Sequence, residues 1–468
     1  MIIFFFALFF TSQCQETESD TIKSGGFAII KRIIFTGNKV TKEKIIRREL
    51  LFSEGDTIFN NNLDNILEQS QKNVMNTSLF NFVTIEPTNV EGEPYFIQVN
   101  VDVLEQWYIW PVPIFELADR NFNEWLKKMD WSRLNYGFFL TWNNFRGRRE
   151  RLVVYSRFGY DEKYELSYQV PYINKKQTIG MGFSGGFAQN HEISYTSFDN
   201  KEVYYKNEED HARREIFGYT ELYYRKGIHN KHWFKLLYND LRVADSVVIK
   251  NPDYMFGTGT QNQFFSFSYQ YRSDHRDYAQ YPLNGHYFDF GLDKRGLGIF
   301  KNPPVNTLSL KANIRKYVTI KGRFFWASGL TVKMSPLWDQ PYYYMRGLGY
   351  GRDYVRGYEY YVVDAQHYGL LKNNLKFELI PRRVQEFKFI PTDKFNKLYY
   401  AFYLNVFCDL AYGIDNRDNV YNPMANEMLP GYGIGLDFVT YYNFVLRVEY
   451  SFNNRGESGF FISFMPSI

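Results

Sequence analysis

Sixteen runs of two-residue alternation, apolar then polar, follow one another from about residue 107 to 464, each separated from the next by turn residues. Alternation with a period of two puts successive side chains on opposite faces of a strand, and a sheet alternating on every strand has one face for lipid or core and one for water. The runs lie near 107–117, 133–143, 151–159, 163–170, 177–187, 215–225, 232–241, 264–272, 286–293, 307–317, 324–334, 369–380, 399–410, 432–440, 444–451 and 459–464. Their connections alternate in length. Those at 144–150, 174–176, 227–230 and 441–443 are short, and those at 188–213, 243–262, 335–366 and 411–430 are long. An even number of strands with short turns at one end and long loops at the other is the pattern of a closed antiparallel barrel in an outer membrane. Two connections on the short side, 273–285 and 381–398, are longer than that pattern predicts.

Composition agrees. Aromatic residues make up 20% of the 468, with 40 Tyr and 44 Phe, while the mean hydropathy is only −0.43. Aromatic girdles at both rims of a barrel with a polar lumen produce that combination, and the alternative is a tyrosine-rich soluble β protein. After residue 10 no stretch is apolar for the ~20 residues of a membrane helix. A net charge of +4 gives no reason to expect nucleic acid.

Residues 1–10 are almost wholly apolar and lead into Thr11-Ser12-Gln13-Cys14-Gln15, which reads as an export signal spanning 1–14 with small residues at −3 and −1 if cleavage follows Cys14. Acylation of Cys14 is the weaker reading, because Gln13 is a poor residue before a lipidated cysteine. Residues 15–26 read as a disordered linker. Cys408 is then the only cysteine of the mature chain, which excludes an internal disulfide and a cysteine metal cluster.

Residues 27–104 read as a small α+β unit: a strand over 28–35, a turn at Gly37-Asn38, a helix over 41–51 with Thr41 as its cap, a second helix over 62–75, and strands at 82–85 and 95–104. The barrel occupies 105–468. Between its eleventh and twelfth strands lies a glycine-rich segment from Met345 to Tyr358 with three arginines. Its glycines call for a folded-over loop.

That loop ends in Val355-Arg356-Gly357-Tyr358, which resembles the loop signature of the BamA/TamA family of outer-membrane proteins. Asp274-His-Arg-Asp277 with Tyr281-Pro-Leu-Asn-Gly285, and Tyr168-Gln-Val-Pro-Tyr172, are similar to the family's barrel motifs. The unit at 27–104, with Phe35-Thr-Gly-Asn38 and Leu79-Phe-Asn-Phe82, resembles a single POTRA domain, which in the family binds extended chains along a sheet edge. The resemblance implies a 16-stranded transmembrane barrel with loop 335–366 folded into its lumen. It also implies that Arg356 meets acids carried by Leu375-Lys-Phe-Glu-Leu379 and Val406-Phe-Cys-Asp-Leu410, namely Glu378 and Asp409.

Alternation supports that trio independently. With Leu375, Phe377 and Leu379 facing lipid, Lys376 and Glu378 face the lumen, and with Val406, Cys408 and Leu410 outside, Asn405 and Asp409 face in. A hairpin centred between Asp393 and Lys394 would set 378 opposite 409. Two adjacent inward carboxylates need a cation, and an arginine fork can bond both; separate solvated charges are the bland alternative.

The first barrel strand carries Pro111 and Pro113, whose missing donors fall on one edge. Such an edge is tolerated where pairing is partial, which places a weak lateral seam against the last strand, Gly459 to Phe464. The alternative is that the prolines only bend a strand near the rim.

No catalytic constellation, cofactor loop or metal cluster is visible. There is no Gly-x-Ser-x-Gly, Gly347-Leu-Gly-Tyr-Gly351 lacks the Lys-Ser/Thr of a phosphate loop, and His229 and His232 differ in parity. The expectation is therefore not an enzyme, with no cofactor, but an outer-membrane protein whose N-terminal domain is periplasmic. It would capture unfolded outer-membrane or secreted polypeptides and insert them through the seam, in contact with outer-membrane lipids, with accessory lipoproteins or periplasmic chaperones as further partners. The alternatives are a two-partner-type secretion pore and a passive structural pore.

Overall fold

The computed structural model describes residues 26–117, 134–207, 209–257, 259–300, 305–337, 340–387, 393–417, 421–440, 444–464 and 468. The expected export signal, Cys14, nearly all of the 15–26 linker and the turn at 441–443 lie outside these residues.

The N-terminal domain runs β1 (Phe27–Thr36), α1 (Glu43–Arg47), β2 (Thr57–Phe59), α2 (Asn60–Met75), β3 (Phe80–Val90), β4 (Glu93–Glu105). Its sheet has the order β2-β1-β4-β3 with β1 and β4 parallel. Ile30, Ile46, Val74, Val99 and Val101, all without exposed surface, form the core between sheet and helices. The first helix is shorter than its sequence predicts, and Thr41 does not cap it. The flanking residue is Lys42, which makes no side-chain cap bond. Thr41 is diverted because its backbone N–H and hydroxyl both donate to Glu105 Oε1 at 2.6 Å. A buried carboxylate offers a charge-assisted bond stronger than a cap made to a solvated helix end.

The remaining chain forms one sheet of sixteen antiparallel strands. These are β5 (Ile109–Leu117), β6 (Leu134–Phe145), β7 (Glu150–Gly159), β8 (Glu162–Val170), β9 (Ile179–Asn190), β12 (Arg213–Lys226), β13 (Asn230–Val243), β14 (Gln261–Asp274), β15 (Gly285–Arg295), β16 (Thr307–Lys321), β17 (Phe324–Met334), β20 (His367–Glu386), β21 (Lys397–Ile414), β22 (Met428–Thr440), β23 (Val445–Asn453) and β24 (Ser458–Ser463). Each overlaps a run of alternation in the sequence. On β21 the alternation is nearly complete: Tyr403, Asn405, Phe407, Asp409 and Ala411 are buried within the curled sheet, while Leu404, Val406, Cys408, Leu410 and Tyr412 are exposed on its outer face. No helix among the described residues is long and apolar enough to cross a membrane.

The long connections carry their own structure. A hairpin, β10 (Glu192–Phe198) and β11 (Lys201–Lys206), stands between β9 and β12. Loop 335–366 holds the short pair β18 (Arg346–Leu348) and β19 (Val363–Asp364). Asn200, without exposed surface, ties three of these connections together. Its amide donates to the carbonyl of Val362 at 2.9 Å and to Asn422 Oδ1 at 2.8 Å, and its own oxygen accepts from the Met424 N–H.

At the opposite end the N-terminal domain lies against the short turns. Lys42 N–H donates to the Gly147 carbonyl, Asn144 donates to the Thr41 hydroxyl, and Asn76 exchanges bonds with Asp277 and Ala279. Glu49 and Arg225 form a buried fork with both N···O distances 2.6 Å. Burial alone would raise the Glu49 carboxyl above its ordinary range, but the Arg225 bonds, with Arg149 and Arg48 nearby, hold it below.

Candidate functional site

Loop 335–366 reaches the inner wall at Val355-Arg356-Gly357-Tyr358. Gly357 turns the chain at φ +93°, a conformation that favours glycine, and a Cβ there would stand 2.7 Å from the Phe452 carbonyl. Its carbonyl accepts from Asn453 Nδ2 at 2.8 Å, Val355 is buried, and the Tyr358 hydroxyl donates to Asn454. Gly431 on β22 completes the seat, because a Cβ there would lie 1.9 Å from the Arg356 carbonyl.

Arg356 has no exposed surface. Its Nε donates to Asp409 Oδ2 at 2.8 Å and its Nη2 to Asp409 Oδ1 at 2.5 Å, a fork on one carboxylate. Nη2 also donates to Asn374 Oδ1 at 2.7 Å, and Nη1 to Glu449 Oε1 at 3.1 Å. The guanidinium carbon lies 3.8 Å from the centre of the Phe407 ring. Four hydrogen bonds, two carboxylates and an aromatic face therefore hold one side chain across β20, β21 and β23. Arginine suits this site because its planar fork stays charged and satisfies several acceptors at once.

Arg356 and Asp409 thus meet, and Glu378 does not join them. Glu378 faces Tyr403, whose hydroxyl donates to it at 3.2 Å, and the residue opposite Asp409 is Lys372. Two causes combine. The β20–β21 hairpin pairs Glu386 with Lys397, so its centre falls two residues before the expected one, and register shifts between Glu378 and Ile380 and between Ile380 and Arg383 move the partners further. The role expected of Glu378 is taken by Glu449. Its parity was readable: in Val445-Leu-Arg-Val-Glu-Tyr-Ser451 the inward set is Arg447, Glu449 and Ser451. Parity alone does not say which inward acid a distant loop will reach. Asn374, Phe407 and Gly431 carried no signal of their own.

At the ends of the sheet, β5 pairs only with β6 and β24 only with β23; among the described residues no ladder joins β5 to β24. Pro111 and Pro113 sit opposite Leu140 and Phe138 of β6, in a register that runs unbroken from Ile109 to Leu117. Gly459 lies in β24, and Phe464 just beyond it is exposed, as are Phe460 and Ile462. β24 stops opposite Arg447, so among the described residues no ladder partner faces Val445 and Leu446 on that side, where the Phe464 ring lies 5.7 Å from that of Phe444. Ile468 is found inside the sheet, packed on Tyr317 and Ala327 of β16 and β17.

Residues 28–106 match the family model described as POTRA, surface antigen variable number repeat. The N-terminal unit is a POTRA domain. No curated protein is detectably similar in sequence to this chain. Among solved structures, BamA from Haemophilus ducreyi lacking POTRA domains 1–3 matches with a TM-score of 0.50 and 14% identity, covering 93% of this chain and 83% of that one. CdiB from Escherichia coli matches with a TM-score of 0.52 and 12% identity, covering 93% and 75%. The fold of this chain, a POTRA domain followed by a barrel of sixteen strands, is similar to theirs. Identities this low speak for the architecture.

Proposed function

We propose that this protein inserts other polypeptides into, or passes them across, a bacterial outer membrane, with the POTRA domain in the periplasm, and that the β5/β24 seam is where it acts. The unpaired seam carries this reading. Two strand edges without partners present free backbone N–H and C=O groups that can template an incoming strand regardless of its sequence. β24 is only six residues long, and two prolines on β5 each remove a donor, so closing the seam would gain few hydrogen bonds and opening it would cost few. The exposed Phe460, Ile462 and Phe464 give an arriving strand an apolar neighbour. The POTRA sheet, whose outer strands are β2 and β3, supplies a second edge for capturing an extended client. In this scheme the Arg356 cluster acts on no client. It holds loop 335–366 against β20–β23, the strands that lead to β24, so that this flank stays fixed while the seam beside it parts.

The test is folding of a urea-denatured barrel substrate into liposomes. Liposomes containing the native protein are run beside empty ones and beside an Arg356→Ala preparation whose barrel is shown to be folded. Acceleration by the native protein that the variant loses is the expected result. No acceleration by either, together with measurable ion conductance, would overturn insertion through the seam and favour a secretion pore or a passive pore.

A further inference from the structure

A second feature of the lumen lies away from both the Arg356 cluster and the seam. Toward the loop end of the barrel, between β8–β17 and the start of loop 335–366, is a chamber of about 590 Å³, within the ~300–1,000 Å³ of small-molecule sites. Six cationic side chains line it, Lys163, Arg213, Lys235, Arg295, Lys333 and Arg346, against one lining carboxylate, Glu215.

Three of the six are neutralised locally. Arg213 pairs with Glu215 at 3.3 Å, Lys163 with Glu165 at 3.0 Å and Arg295 with Asp293 at 2.9 Å. Among the described residues, Lys235, Lys333 and Arg346 have no carboxylate at ion-pair distance. Lys235 instead stands 3.6 Å above the Tyr219 ring, Lys333 donates to the Arg346 carbonyl, and Arg346 lies over Tyr343 and Tyr350. Three buried polar atoms of lining residues also lack partners, Arg213 Nε, Ser335 Oγ and the Tyr344 hydroxyl. Each of these is a donor. Like charges held around a shared cavity between low-dielectric walls raise the potential there, and a buried donor without an acceptor costs free energy that a ligand oxygen would recover.

We infer that this chamber binds a soluble multivalent oxyanion, a small molecule bearing two or more phosphate or sulfate groups. The three cations without an ion pair stand on separate supports, Lys235 on β13 across from Glu221, Lys333 on β17 and Arg346 on the loop, so one small anion cannot satisfy all three as well as a molecule with several charged groups. A lipid headgroup is a poor candidate because the chamber is inside the strand wall and far around the sheet from the seam. A bound anion would bridge Arg346 to the barrel wall, adding a second attachment for loop 335–366 that is independent of Arg356.

The experiment is calorimetric titration of tripolyphosphate into the full-length protein in phosphatidylcholine nanodiscs, at about physiological ionic strength so that loose surface association is screened. Saturable binding at one site is expected, weakened about tenfold or more by Lys235→Gln combined with Arg346→Gln, the loss corresponding to charge-assisted bonds. The charge-preserving pair Lys235→Arg and Arg346→Lys should keep most of the affinity, and Lys176→Gln, on an exposed turn at the other end, should keep all of it. Each single neutral substitution is titrated as well, so that a double variant that fails to fold does not leave the question open. Absence of saturable binding, equal weakening by Lys176→Gln, or full affinity in folded neutral variants would overturn the assignment.

Discussion

Two neighbouring regions of this barrel are built on opposite terms. Across β20–β23 a single arginine is held by four hydrogen bonds and an aromatic face, with two glycines cut away to let the loop backbone approach. At β5 and β24 there is a short strand, a pair of prolines and, among the described residues, no ladder between them. The first region concentrates buried charge that is costly unless every partner is in place; the second has little to lose. The tightly held region thus ends at β23, the strand next to β24, and the loosely held one begins at the following edge.

The largest test of this contrast is Arg356→Ala. It leaves Asp409 and Glu449 buried without their shared cation, and breaking a buried pair in this way costs about 3–5 kcal/mol. Urea unfolding in detergent micelles should show that loss; a change near zero would mean that the cluster is wet and the contrast weaker than drawn. Next is Gly431→Ala, which forces a methyl group into the Arg356 carbonyl. A cost of about 1–3 kcal/mol is expected from overpacking, with faster proteolysis of loop 335–366. Smaller still is Pro111→Val with Pro113→Val at the seam. Restoring two donors allows up to two further bonds at about 0.5–1.5 kcal/mol each, so the barrel should become slightly more stable while client insertion slows. Faster insertion would count against the seam.

The smallest effect concerns neither region. His229, His275 and His286 stack on the turn that braces the POTRA domain, with ring centres 4.1 and 4.6 Å apart. Burial, then the neighbouring His229 and His286, lower the His275 pKa below its ordinary 6.5. Protonation therefore costs the folded turn more than the unfolded chain, so stability is complete above that value and falls as the pH drops through it. Hydrogen exchange in 275–284, corrected for intrinsic rate, should quicken between neutral and mildly acid pH, and His275→Gln should remove the change. The Arg356 loop and the seam should not respond.

The strands were legible because period-two alternation is a local property, and an apolar outer face with a polar lumen writes it into each strand. The same parity placed Asp409 inward correctly. It also put Glu378 on the inner face, beside Tyr403, but could not give its partner, because partnership depends on two register shifts and a hairpin centre that no local pattern announces. Thr41 failed for a related reason. Its position before a helix suggested a cap, but Glu105, distant in sequence, offered the better bond. Contacts between the POTRA domain and the turns, and the convergence of three loops on Asn200, are also products of closure, and nothing within a short window of sequence encodes them.

The join between the two domains has no slack. Only residues 106–108 separate β4 from β5, and even these are tied down: Gln106 N–H donates to the Leu79 carbonyl, and the Tyr108 hydroxyl donates to the same carbonyl. A tether this short and this anchored transmits rotation rather than absorbing it. Any swing of the POTRA domain about the barrel mouth is delivered as torque to the base of β5, so a client pulling on the domain would be turning a crank fixed to one lip of the seam.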